Sequence, residues 1–110
     1  MNEKTKEALE GSINKWYNIV IGKEVDKGAN NCPLCKVFFD KDCWGCPVRN
    51  KTGEMNCYNS PYLAFVDAYE NEVEELAGSL YLEFTPRVVG PKSQEAAINE
   101  YNFLCSLREE

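Results

Sequence analysis

The 110 residues carry 12 basic and 18 acidic side chains, a net charge of −6, with six cysteines and no histidine. That length fits one domain, since compact domains hold roughly 100–150 residues, and 44% apolar residues give it the material for a core. Without imidazole, every histidine-based triad or dyad and every histidine-containing zinc site is excluded. No apolar run approaches the roughly 20 residues of a membrane-spanning helix.

Residues 1–10 are polar and include three glutamates, so they do not read as a secretory signal, and a cytoplasmic setting is expected. The charge is unevenly spread. Residues 1–31 are balanced, and residues 32–60 carry a slight basic excess. Residues 61–110 hold three basic against ten acidic side chains. Nucleic-acid binders displace phosphate counterions with a basic surface. The small group Lys41, Arg49 and Lys51 is too dilute for that, which argues against direct DNA or RNA binding.

The first predicted element is a helix over residues 5–21. Leu9, Ile13, Trp16 and Val20 recur on one stripe, Thr5 is a candidate N-cap, and Gly22 is a candidate terminator. Trp16 and Tyr17 read as core and boundary residues. Residues 26–31, Asp-Lys-Gly-Ala-Asn-Asn, form a turn-rich lead into the cysteines. Pro33 opens a short helix through Leu34, Val37, Phe38 and Phe39. Residues 43–47 and 51–54 read as tight turns.

Ser60-Pro61 is a helix start, a hydroxyl cap followed by proline. From Tyr62 to Phe84 the apolar residues keep helical spacing, which favours one long helix broken or bent at Gly78-Ser79; residues 80–84 also admit a strand. Thr85-Pro86 stops the element. Residues 87–92 connect to a last helix capped by Ser93, with Ala97, Ile98, Tyr101, Leu104, Cys105 and Arg108 on one face. Cys105 reads as a core side chain. The expected architecture is all-α. A single domain over 1–110 has an N-terminal helix (1–22), a cysteine-rich metal-bound insert (23–60) and a helical C-terminal part (61–110), about three main helices in all.

Within the insert, Cys32, Cys35, Cys43, Cys46 and Cys57 follow the pattern C-x2-C-x7-C-x2-C-x10-C. In a C-x-x-C turn both sulfurs face one ion, and two such turns supply a tetrahedral thiolate zinc site. Zinc would then act as a cross-link for a loop with too little apolar periodicity to order itself. Cys32, Cys35, Cys43 and Cys46 are the simple ligand set, and Cys57 is an alternative to any of them. An iron–sulfur cluster is a second reading of an all-thiolate set ending in Cys46-Pro47, although the spacing matches no standard run. Disulfides and buried thiols are weaker readings, since a reducing compartment is the default and structural disulfides are uncommon there, and a thiol–disulfide enzyme is weaker because no strand precedes the C-x-x-C.

Trp44, inside the second C-x-x-C turn, is either a shield for the metal or an exposed anchor for a partner. The acidic series Asp67, Glu70, Glu72, Glu74, Glu75 and Glu83 reads as a solvated helix face. Its sharper reading is an acidic surface, centred on Glu74 and Glu75, that fills a basic groove on a partner. No catalytic constellation is visible.

The order of motifs carries a resemblance. Leu9-x3-Ile13-x2-Trp16 precedes Cys32-Pro33-Leu34-Cys35, Cys43-x2-Cys46-Pro47-Val48, Thr52-Gly53, Cys57 and Ser60-Pro61-Tyr62, and Phe103-Leu104-x2-Leu107 closes the chain. This resembles a family of small cysteine-rich proteins of tailed phages and prophages, a family without an assigned activity. The resemblance implies a viral, intracellular setting and adds Cys57 to the ligand set. The function expected from the whole is a non-enzymatic, zinc-stabilised phage accessory protein that binds a macromolecule, plausibly a host or defence protein. An iron–sulfur or thiol redox protein and a nucleotide-sequestering sponge are the alternatives.

Overall fold

The computed structural model describes residues 2–38, 44–53, 60–77 and 86–109. Among the described residues the fold is all-α and contains no strand. It comprises α1 (Glu3–Val20), α2 (Pro33–Phe38), α3 (Pro47–Thr52), α4 (Pro61–Ala77) and α5 (Pro91–Ser106). Short 3₁₀ turns at Gly28–Asn31 and Leu107–Glu109 precede α2 and follow α5. The expected continuation of the long helix to Phe84, and the competing strand at 80–84, lie outside the described residues.

Helix α1 begins earlier than its apolar stripe suggests. Asn2, not Thr5, is the N-cap: its Oδ1 accepts the Thr5 backbone N–H at 2.8 Å, and Thr5 is buried in the first turn. Gly22 ends the helix with φ of +80°, a left-handed conformation that favours glycine. The predicted stripe is buried at Leu9, Ile13 and Trp16. A second row, Ala8, Ser12, Lys15 and Ile19, is buried beside it. The buried arc of α1 is therefore wide enough to face α4 and α5 at once, beside its packing against α2.

One neighbour is α4. The Trp16 ring stands edge-on to Phe65 (centroids 4.9 Å apart, planes at 88°) and to Tyr62 (6.0 Å, 84°), the geometry that aromatic quadrupoles prefer. The other is α5, which runs antiparallel to α1. Arg108 forks onto Glu10 with both N–H···O distances at 2.6 Å, while Tyr101 meets Tyr17 one end further along. Ala97, Leu104 and Leu107 are buried on α5 and the turn after it, whereas Ile98 and Arg108, expected on the same face, are exposed. Cys105 is half-buried and packs against the core, in keeping with its reading as a core side chain.

Two further expectations about helix bounds need correction. The first concerns residues 47–52, which form α3 rather than loop and turn. Pro47 stands at its first position, and Gly53, with φ of +79°, closes it by donating its N–H to the Arg49 carbonyl. The second concerns the start of α5. Gly90, not Ser93, is the N-cap; Ser93 lies in the first turn, where its Oγ accepts the Val89 and Gly90 N–H groups. The first-turn N–H groups of Lys92 and Ser93 are capped from another helix, by the two carboxylate oxygens of Glu72 on α4 at 3.1 and 2.6 Å. The acidic series predicts a solvated face, and Asp67, Glu70 and Glu74 are exposed, but Glu72 is buried to make this cap. Gly90 is required there, because a Cβ at that position would collide with the Glu72 carboxylate.

Burial pushes the Glu72 carboxyl up, but the Ser93 hydroxyl and the Ser93 and Lys92 N–H groups outweigh it and hold the pKa below its ordinary value of 4.5. The cap is therefore present above that pH and lost as the pH falls through the lowered value. Glu72→Ala is expected to destabilise the protein by about 1–2 kcal/mol, the usual cost of a lost cap, and to shrink the loss of stability below pH 4.5. Denaturant unfolding of both proteins at neutral and acid pH measures it.

Candidate functional site

The cysteine turn is built from the residues that lead into it. Asn31 orders the lead: its Oδ1 accepts the Lys27 N–H at 2.9 Å, and its Nδ2 donates to the Val25 carbonyl and to Glu24 at 2.9 and 3.1 Å. Cys32 then takes an extended conformation, and Pro33 opens α2. The Cys35 N–H donates to Cys32 Sγ at 3.2 Å, and the Leu34 N–H donates to Ser12 Oγ on α1 at 3.3 Å. Close approach of the two helices depends on Gly11, where a Cβ would stand 3.0 Å from the Pro33 ring.

This turn has the donor set of a thiolate metal ligand. The Cys35 thiol and backbone N–H, helped by Lys15 and Ser12, outweigh the opposing effect of burial and hold the Cys32 thiol down to about 6. A shift in that direction favours the thiolate, the state that a metal requires. The two thiolates of this turn would supply half of a four-sulfur site, with the other half drawn from Cys43, Cys46 and Cys57; the ion would cross-link the insert.

The second turn is only partly described. Cys46 is buried at the head of α3, and Gly45, with φ of +88°, lets the backbone turn against the Phe38 ring of α2. Cys43 and Cys57 lie outside the described residues. Among the described residues, no three His, Cys, Asp or Glu side chains gather into a metal-binding group, so Cys46 does not complete such a group with Cys32 and Cys35.

Of the residues expected to face a partner, Trp44 is 65% exposed, with the Arg49 guanidinium stacked over its ring at 3.9 Å. Glu74 is exposed on α4; Glu75 belongs to the same helix, and its side chain lies outside the description.

Behind the Cys32 turn lies a buried polar cluster that periodicity alone does not reveal. Lys15 Nζ and Asp26 Oδ1 pair at 2.9 Å with side chains 5% and 1% exposed, and the Tyr62 hydroxyl donates to Asp26 Oδ2 at 2.7 Å. Glu100 of α5 is 4% exposed, and its Oε1 has no hydrogen-bond partner. Burial, then the negative charges of Cys32 and Asp26, push its carboxyl up to about 8 against the pull of Lys15. The one sequence signal for this cluster is the row Ala8, Ser12, Lys15, Ile19, which runs parallel to the apolar stripe.

Compared with known proteins, the chain matches no family model, no curated protein and no solved structure. No helix among the described residues is long and apolar enough to cross a membrane.

Glu100 sets a pH dependence. It ionises near 4.5 in the unfolded chain and near 8 in the folded one, so stability declines as pH rises between those values. Glu100→Gln is expected to flatten that decline and to raise stability at alkaline pH by about 1–3 kcal/mol, the range for a buried unpaired polar group. Thermal melts across this pH interval provide the check.

Proposed function

We propose that the protein is a non-enzymatic, metal-stapled helical module that binds a protein partner through its second cysteine turn, with zinc as the staple. The observation that carries this reading is Trp44: a large apolar ring 65% exposed, two residues from a buried cysteine and steadied by Arg49 at 3.9 Å. Aromatic side chains held rigidly at a surface are the usual energetic centres of protein interfaces. The left-handed Gly45 and the packing of that turn on Phe38 fix the backbone beneath the ring. The exposed acidic residues of α4, Glu74 among them, are suited to a second contact with a basic partner surface. In the phage or prophage setting that the sequence resemblance implies, the partner is a host or defence protein in the cytoplasm of the infected cell.

The supporting result has three parts. Protein purified anaerobically should contain about one zinc per chain and no iron, and chelation should lower its helical circular dichroism. Trp44→Ala should keep the metal and the spectrum but lose a partner that the parent protein retains from host lysate, with affinity reduced by about 30-fold, as for an interface centre worth ~2 kcal/mol. A brown, iron-containing protein would replace the staple with an iron–sulfur cluster. Unchanged helicity after chelation removes the staple, and undiminished capture by Trp44→Ala removes the docking surface.

A further inference from the structure

Cys32 and Cys35 are held as a pair by contacts that need no third sulfur. Cys32 is extended, Pro33 opens α2, and the Cys35 N–H donates to Cys32 Sγ at 3.2 Å, so the first side chain folds back over the turn that carries the second. The Lys36 N–H meets the Cys32 carbonyl at 3.0 Å, which closes the segment as a first helical turn. Positions three apart in such a turn have Cα atoms roughly 5–6 Å apart, inside the range that a disulfide spans.

The turn is also anchored from outside. The Leu34 N–H donates to Ser12 Oγ at 3.3 Å, and Pro33 packs against Gly11. Both sulfurs are half-buried, within reach of a small reagent, whereas Cys46 of the second C-x-x-C is buried. Two accessible sulfurs fixed three residues apart are the arrangement that thiol–disulfide exchange uses.

We infer that Cys32 and Cys35 are a redox-active dithiol, a site of reversible oxidation that a low-molecular-weight disulfide of the glutathione class closes into a Cys32–Cys35 disulfide. One cysteine thiolate attacks a sulfur of the oxidised reagent, which forms a mixed disulfide and releases one reagent thiol. The other cysteine thiolate then attacks the protein sulfur of that mixed disulfide, and the second reagent thiol leaves. The cysteine pair loses two electrons and two protons, and the reagent gains them as two thiols. In a reducing compartment such disulfides are transient and serve sensing. The inference stands apart from the staple reading: the disulfide needs no metal, and where zinc holds these sulfurs, closing it releases the ion.

The test treats the full chain with oxidised glutathione, natively and in urea, then alkylates the remaining thiols and digests with trypsin. Cleavage after Lys27 and Lys36 isolates Cys32 and Cys35 in one peptide, 28–36, and cleavage after Lys41 and Arg49 isolates Cys43 and Cys46 in another, 42–49. In the native protein, peptide 28–36 should become unalkylated and lighter by two hydrogens about tenfold faster than 42–49, because exchange follows access. In urea, where spacing alone acts, the two pairs should close at similar rates. Cys35→Ser should leave glutathione attached to Cys32, since the displacing thiol is gone, and dithiothreitol should restore the parent. A native peptide 28–36 that stays fully alkylated, keeps glutathione or is linked to another cysteine overturns the inference, as does equally fast oxidation of both pairs. A zinc indicator in the same reaction keeps the two readings apart. Disulfide without zinc release removes the staple and leaves the dithiol, while zinc without disulfide does the reverse.

Discussion

The Lys15–Asp26 pair holds the end of α1 to the start of the cysteine region, and much of the remaining arrangement follows from it. Asp26 lies just before the turn that delivers Cys32, and it has partners in α1, in α4 and in the chain entering α5. One residue therefore ties the first helix to both later ones, through its carboxylate to Lys15 and Tyr62 and through its backbone N–H to Pro86. A buried ion pair is poor evidence of net stability, because desolvation offsets most of the attraction. Its value here is specificity: the 21–27 connector is held in the register that brings Asp26 to both Lys15 and Tyr62.

A second cross-helix carboxylate plays a similar role at the start of α5. Glu72 turns α4 into the cap of α5, satisfying N–H groups that would otherwise lie in a buried helix start. Trp16 joins these polar clamps through its edge-on contacts with Tyr62 and Phe65, so apolar packing and the Asp26 network share the residue Tyr62. A domain of this size has a modest core. Long-range polar links that select one packing add precision that a small set of apolar contacts lacks.

The helices were legible because their signals are local. The apolar stripe of α1 and the Pro33 and Ser60-Pro61 starts are set by spacing and by backbone stereochemistry at single residues, and the structure keeps them. The reading failed where the partner is distant in sequence. Glu72 sits in an acidic run indistinguishable from a solvated face, and only the approach of Gly90 reveals its role. Asp26 lies in a turn-rich stretch where an aspartate is unremarkable, and Glu100 occupies a helix position with no local mark of burial. The short α3 was hidden because six residues carry too little periodicity to separate a helix from a turn; Pro47 and Gly53 were its only local marks. For the candidate site, the C-x-x-C pair announced itself, whereas its electrostatic setting comes from α1 and α5.

Charge accounting in the polar cluster explains why folding and thiolate chemistry belong to one equilibrium. Lys15 offsets Asp26, and a second anion at the buried Glu100 would add to the negative charge of Asp26 and of the Cys32 thiolate. Glu100 answers by holding its proton to about pH 8. The cluster therefore keeps one acid neutral so that one thiolate can stay charged. Anything that places positive charge on Cys32 relieves the same excess that keeps Glu100 protonated, and anything that loosens α5 admits water to both. The contacts that hold α2 against α1, the Leu34 N–H on Ser12 Oγ and Pro33 against Gly11, thus lie beside the charges that set the acidity of Cys32.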